Sequence, residues 1–140
     1  MVLGKKHNQG DYVWGRKQEE KCNEHLNDYF QSELMNSKSQ YARWDFTDGR
    51  IKIEMKSRKN ISYDSYATTF ISEDKCRHAD ADTYFVFNFV YDYANDLSDL
   101  YCIKYDKEKF NTFLKKTLQN DYSLIEIPVS ELTHIVQEIL

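Results

Sequence analysis

The run Thr83-Tyr84-Phe85-Val86-Phe87-Asn88-Phe89-Val90-Tyr91 constrains the fold of this chain more than any other stretch. β-Branched and aromatic residues occupy both alternating faces of it, so neither face is suited to water. It reads as a strand covered on both sides, central to a sheet. The remaining segments must supply that cover. From Gly15 to Met35, Cys22, Leu26, Tyr29, Phe30 and Leu34 recur at helical spacing, and Glu19 extends the stripe by one turn. Asn60 to Ile71 is polar and tyrosine-rich and reads as a loop. Ser72 then caps a short helix to about Ala81, with Glu73 and Asp74 in its first turn.

Leu100 to Tyr105 gives another strand, Lys107 to Leu118 a helix with Phe110, Phe113, Leu114 and Leu118 inward, and Tyr122 to Ile127 a short strand ended by Pro128. Ser130 is placed to cap a last helix whose stripe is Leu132, Ile135, Val136, Ile139 and Leu140. This order predicts a mixed α/β (α+β) domain, a mixed central sheet flanked by helices. The 140 residues suffice for one such domain, with a core over about residues 15–105 and a C-terminal helix-strand-helix elaboration over 106–140.

Between the first helix and the loop lies a hairpin signal. Tyr41-Ala42-Arg43-Trp44-Asp45-Phe46-Thr47 and Arg50-Ile51-Lys52-Ile53-Glu54-Met55-Lys56 both alternate, and Asp48-Gly49 joins them. A two-residue loop pairs Thr47 with Arg50, Phe46 with Ile51, Asp45 with Lys52 and Trp44 with Ile53. One face then collects Ala42, Trp44, Phe46, Ile51, Ile53 and Met55, and the other Arg43, Asp45, Lys52, Glu54 and Lys56. Asp45 and Glu54 become diagonal neighbours with α-carbons roughly 5–8 Å apart. Asp48, inside the turn, is expected to serve it locally.

Two carboxylates and an amine on one face suit hydrolysis of a phosphodiester. Mg²⁺ is held by one or two carboxylates and keeps its other positions for water and phosphate oxygens, and Lys56 is placed to orient the water or stabilise developing charge. Ordinary cross-strand ion pairs on a surface hairpin would use the same residues. The net charge of −4 looks unfavourable for a nucleic-acid enzyme, but its distribution is uneven. Arg50, Lys52, Lys56, Arg58 and Lys59 crowd the second strand and its exit, Lys75, Arg77 and His78 form a second basic group, and Arg43, Lys52, Arg58, Lys59, Lys75 and Arg77 are candidate DNA contacts, although a solvated charged face accounts for such clusters equally well. Cys22, Cys76 and Cys102 form an odd set without metal-ligand spacing, so neither disulfides nor structural zinc are expected. The apolar runs are too short for a membrane span and the first residues lack a secretory signal, which predicts an intracellular protein.

The pattern Asp45, a short gap, then Glu54-Met55-Lys56 on a hydrophobic strand resembles the PD-(D/E)xK nuclease superfamily, whose fold is restriction-endonuclease-like. Ile53-Glu54-Met55-Lys56-Ser57-Arg58-Lys59 is especially similar to its archaeal-type Holliday-junction resolvases. Trp44 stands where that family usually has Pro. The resemblance implies that Asp45 and Glu54 bind Mg²⁺, with Mn²⁺ able to substitute, that the Met55 backbone carbonyl is a further ligand, and that Lys56 assists the attacking water. It also implies a Glu on the first helix, which Gly15, Glu19, Cys22 and Leu26 match, with neighbouring Glu20 as competitor; Lys75 looks like a basic element such members carry.

The function that follows is a Mg²⁺-dependent DNA endonuclease, structure-selective for Holliday junctions or branched DNA and acting as a homodimer because both strands are cut symmetrically. The alternatives are a sequence-specific restriction-type enzyme, for which 140 residues leave little room, and a non-catalytic nucleic-acid-binding module. RNA remains open as a substrate. The Lys-, Asn-, Asp-, Tyr- and Ile-rich composition hints at a phage or viral source.

Overall fold

The computed structural model describes residues 9–37, 39, 41–119 and 122–139. It is a mixed α/β domain whose elements in chain order are α1 (Gln9–Phe30), β1 (Met35–Asn36), β2 (Phe46–Thr47), β3 (Lys52–Lys59), β4 (Thr68–Ser72), α2 (Glu73–Arg77), β5 (Thr83–Asp92), β6 (Leu97–Lys104), α3 (Lys107–Phe110), β7 (Leu114–Thr117), β8 (Ser123–Pro128) and β9 (Thr133–Ile139). A larger sheet has the order β9-β6-β5-β3-β2-β1, and a smaller one β4-β8-β7. β3 and β5 pair in parallel, with Glu54 opposite Phe85 and Lys56 opposite Phe87, while the other pairs are antiparallel.

The aromatic run forms β5, third in the larger sheet and buried along most of its length. Its alternation splits the core in two. Val86 faces a cluster with Ile53 and Met55 of β3 and Cys22 and Leu26 of α1. Phe85, Phe87 and Phe89 face the opposite cluster, built with Ile71, Cys76, Phe110, Ile125 and Ile127 from the smaller sheet and the short helices. α1 therefore covers one face and the smaller sheet the other. Since residues paired across a parallel ladder share a face, Glu54, Lys56 and Arg58 lie on the second side and Met55, Ser57 and Lys59 on the α1 side. A buried polar link fixes α1 across the sheet: Asn88 Nδ2 donates to Gln18 Oε1 (2.8 Å) and to Ser57 Oγ (3.0 Å), and Gln18 Nε2 donates to Asp96 Oδ1 (2.8 Å).

Several boundaries differ from those read in the sequence. α1 starts earlier and ends at Phe30, because Gln31 turns to φ 50° and the Asn27 side chain captures the Leu34 N–H at 2.8 Å. Leu34 thus reaches the core from outside the helix, and Met35–Asn36 becomes strand. Of the predicted strand over 41–47 only Phe46–Thr47 remains in a ladder. Thr68–Ser72, read as loop, pairs with β8. Ser72 caps α2 as expected, accepting from Lys75 N–H, but the helix ends at Arg77.

The C-terminal helix-strand-helix arrangement is not present. α3 is one turn, buries Phe110 and gives way to β7, whose four residues are exposed and pair with β8. After Pro128 a 3₁₀ turn over Val129–Glu131 leads into β9 rather than a helix. β-Branched Thr133, Ile135 and Val136 suit a strand, and the otherwise open edge of β6 offers the ladder. The final residue of the predicted helical stripe, Leu140, lies outside the described residues. Among the described residues no helix is long and apolar enough to cross a membrane.

The hairpin register also differs. Thr47 pairs with Lys52 and Phe46 with Ile53, so the connection is four residues, 48–51. A two-residue type I′ turn needs positive φ at both central positions, and only Gly49 (φ 88°) has it. Asp48 instead folds its side chain into the loop, accepting from the N–H groups of Arg50 and Ile51 (each 2.8 Å) and from Ser32 Oγ. These contacts hold its carboxyl down to about 2. The shift is by two residues, so the alternation within the ladder is kept: Phe46, Ile51, Ile53 and Met55 gather in one cluster as expected, but Trp44 packs against the opposite one. Asp48→Ala should lower stability by about 1–2 kcal/mol in urea titration, the loss of a side-chain cap, and leave any activity of the Asp45-Glu54 site largely intact.

Candidate functional site

β2 accompanies β3 only as far as Ile53. Beyond that point the β3 edge is open, and Asp45 occupies it. Its N–H donates to the Ile53 carbonyl at 2.9 Å, and its Oδ2 accepts from the Met55 N–H at 2.8 Å. A carboxylate thus takes the place that a neighbouring strand's carbonyl would hold. The ladder register ends at Phe46 and Ile53, and the Asp45 N–H bond to the Ile53 carbonyl breaks it by one residue. Strand geometry points the Met55 carbonyl toward the same edge as its N–H.

Glu54 is 4% exposed. Lys56 Nζ lies 3.2 Å from its Oε2, and Lys75 Nζ, carried by α2, lies 3.2 Å from its Oε1. Lys75 also donates to the Arg43 carbonyl and sits 5.4 Å from the centre of the Trp44 ring. Glu19 reaches the group from α1 and is 8% exposed, whereas Glu20 points to solvent. Glu19 Oε1 accepts from Arg16 Nη1 and from Asn36 Nδ2, both at 2.9 Å, and Asn36 Nδ2 donates also to the Asp45 carbonyl at 3.0 Å. The helix, the β1 strand and the β3 edge therefore converge on three carboxylates.

Crowding of the acids shifts the protonation of Asp45 and Glu19. The Asp45 carboxyl is pushed up to about 8, first by burial, then by Glu54 and Glu19, against the opposing pull of the Met55 N–H and Lys56. Glu19 is raised as well, chiefly by burial and also by Glu54, while Asn36, Arg16 and a hydrogen bond with Asp45 draw it down. Burial and the neighbouring carboxylates therefore favour a proton on this group of acids, with Asp45 shifted upward and Glu19 raised beside it. Arg16, Lys56 and Lys75 do not fully compensate the acids.

Among the described residues, no three His, Cys, Asp or Glu side chains stand in a ready chelating arrangement. The Glu54 oxygens carry lysines and Asp45 Oδ2 carries an N–H. The donor chemistry nevertheless fits a hard divalent cation, since every donor is oxygen. The upward shift of two neighbouring acids marks excess negative charge of the kind a cation neutralises, and among the described residues the buried Asn36 Oδ1 has no hydrogen-bond partner.

The acids open on a cleft of about 570 Å³ that continues along β3 past Lys56 and Arg58 to Lys59 and along α1 to Trp14 and Tyr12. The expected basic contacts divide. Lys59 lies over Trp14 and Tyr93, with its Nζ 5.1 and 4.5 Å from the ring centres. Arg58 is half-buried, stacks on Phe70 at 4.2 Å and donates to the Phe70 carbonyl at 2.6 Å. Arg43 is exposed and turns its carbonyl to Lys75, while Lys52 pairs with Asp80. Arg77 pairs with Glu73 and Asp74 and lines a separate depression. Sequence reasoning missed Arg16 and Asn36 as partners of the acids. Arg16 stands three residues before Glu19, a legible helix spacing; Asn36 fell just past the segment read as helix and gave no signal.

The raised Asp45 carboxyl carries a sign. Its folded-state value lies above the ordinary 3.8, so the folded state binds the extra proton, and the stability it confers is fully present below about pH 4 and lost as pH rises through about 8. Asp45→Asn keeps an oxygen for the Met55 N–H and removes the titration. It is expected to melt above the wild-type protein at pH 8, by roughly 2–4 °C for each kcal/mol recovered, and to match it at pH 4. Mg²⁺ should raise the wild-type melting temperature at pH 8 and leave that of Asp45→Asn nearly unchanged. An Asp45→Asn protein less stable than wild type at pH 8 would refute the assignment of repulsion to this site. Comparison of the chain with protein-family models, with curated proteins and with solved structures finds no match.

Proposed function

We propose that this chain is a divalent-metal-dependent DNA endonuclease of the PD-(D/E)xK kind, selective for Holliday junctions or other branched DNA. The observation that carries the reading is the grouping of buried Glu19 and Glu54 with half-buried Asp45 at the open edge of β3, with Lys56 two residues beyond Glu54 on the same face. Asp45, Glu54, Glu19 and the Met55 carbonyl are the groups that would hold Mg²⁺ or Mn²⁺. Such an ion, when bound, neutralises charge on a phosphodiester and acidifies a water.

The chain's own residues do the rest. Asp45 in its deprotonated form, and Glu54 with one oxygen released from its lysine, would hold the ion. Lys56, its side chain 40% exposed, is free to orient the attacking water or a non-bridging phosphate oxygen. A bond forms from the water oxygen to phosphorus, one P–O ester bond breaks, and the proton released by water reaches the leaving oxygen through solvent. Lys59 and the exposed Arg43 favour the phosphate backbone, while Arg77 contributes from outside the cleft. Symmetric cutting of a junction requires two sites and so a homodimer. An intracellular setting, in a cell or in one infected by an encoding phage or virus, goes with that substrate.

The test is cleavage of a four-way junction, flap, linear duplex, single strand and RNA in Mg²⁺ or Mn²⁺. The junction or another branched substrate should be cut best, and Glu54→Ala should lower the rate at least a hundredfold, on the order of losing a preorganised electrostatic group. Because Asp45 must lose its proton to hold the cation, the Mg²⁺ concentration for half-maximal cutting should fall roughly tenfold per pH unit between 6 and 8. Intact binding with no cutting of any substrate would point to a non-catalytic module instead, and a single cut sequence in linear duplex to a restriction-type enzyme.

A further inference from the structure

The cleft that holds the acids has a second end with different chemistry. From Glu19, α1 runs back five residues to Trp14, about 7.5 Å along the axis, and two further to Tyr12. From Glu54, β3 runs on five residues to Lys59, roughly 16 Å along the strand. Tyr12, Trp14 and Lys59 line the same cleft as Glu19, Asp45 and Glu54. Trp14 packs against Tyr93 at 5.9 Å, which holds the indole in place, and Lys59 sits over both rings. Tyr12 is 40% exposed and Tyr93 43%.

An exposed tyrosine and a half-buried tryptophan backed by Tyr93, beside ammonium and guanidinium groups, have a ligand in common. Nucleobases stack on the rings whatever their sequence, and the linking phosphates meet the cations. Arg16 and Arg58 also line this cleft and add to its positive side. Size selects further. About 570 Å³ falls within the usual range for small-ligand clefts and admits one or two nucleotides rather than the body of a duplex. A base still paired and stacked in a helix would keep its faces from Tyr12 and Trp14.

Resting on the nuclease reading above, we propose that the Tyr12–Trp14–Lys59 end of the cleft is a stacking subsite for an unpaired nucleobase. The substrate is then a nucleic acid with a single-stranded segment next to the bond that is cut, as at a flap or an opened branch point. The acids would act on the phosphate, and the aromatic end would select for loss of pairing beside it.

The chain has two tryptophans, so Trp44→Phe leaves Trp14 as the sole indole reporter. In that background, in chelator without metal, the probes are a short oligothymidylate, a blunt duplex of equal length and an abasic strand of equal length. The oligothymidylate should quench Trp14 fluorescence saturably, and the duplex and abasic strand should not. Tyr12→Ala, at an exposed side chain, should weaken oligothymidylate binding on the order of tenfold, the usual effect of removing one stacking partner, with duplex affinity and melting temperature unchanged. Trp14→Leu, read by anisotropy of a labelled strand, should do the same and Trp14→Phe should restore most of the affinity. Equal quenching by duplex or abasic strand, or oligothymidylate affinity untouched by Tyr12→Ala, would overturn the subsite. Metal-dependent cutting without selective quenching removes the subsite alone; selective quenching without cutting by any preparation removes the nuclease reading alone.

Discussion

The hydrogen bond from the Met55 N–H to Asp45 Oδ2 is the contact on which the rest of the candidate site depends. A sheet edge normally presents unpaired N–H and C=O groups to solvent or to another strand. Here β2 stops after two residues, and the chain before it supplies a carboxylate where a ladder carbonyl would stand. That substitution seals one edge N–H and draws an acid into contact with Glu54 and Glu19. A longer β2 would have buried the edge in backbone pairing and left no room for the trio. The shortness of the strand is therefore a condition of the site.

Charge around this point is balanced in layers. Lys56 and Lys75 each meet one oxygen of Glu54, Arg16 meets Glu19, and Asp45 has a backbone N–H but, among the described residues, no cation at hydrogen-bonding distance. Asp45 is the acid that burial and its two neighbours push furthest from its ordinary range. A group so poised responds to a cation, to pH and to its own neutral isostere in the same direction. The assembly has a cost: like charges held together in a dry site weaken the fold. Such concentrations of perturbed groups in a cleft are a feature of functional sites more often than of structural ion pairs.

The parts of this arrangement that were legible in sequence are those set by period alone. The unbroken apolar run of β5 announced a two-sided strand, and the alternation through Ile53, Glu54, Met55 and Lys56 put acid and amine on one face whatever the register proved to be. Ser72 declared a helix start because an N-cap is a local interaction. What was hidden depends on partners distant in the chain. Helical spacing at Phe110, Phe113, Leu114 and Leu118 matched a helix, yet β8 offered an open edge and claimed Leu114–Thr117 as strand. The C-terminal stripe was claimed in the same way by β6. Asn36 took its role from a two-residue strand that no periodicity can reveal.

The buried link between Gln18 and Asn88 sits one residue from Glu19. Successive residues on an α-helix are about 100° apart, so the rotation of α1 about its own axis decides whether Glu19 or Glu20 meets the acids. Apolar packing through Cys22 and Leu26 tolerates small rotations, but a directional amide–amide bond does not. Gln18 and Asn88 therefore act as an indexing pin that sets the helix at one angular position. The identity of the third acid is in that sense encoded on the far side of β3, in two neutral side chains that make no hydrogen bond to Glu19, Asp45 or Glu54.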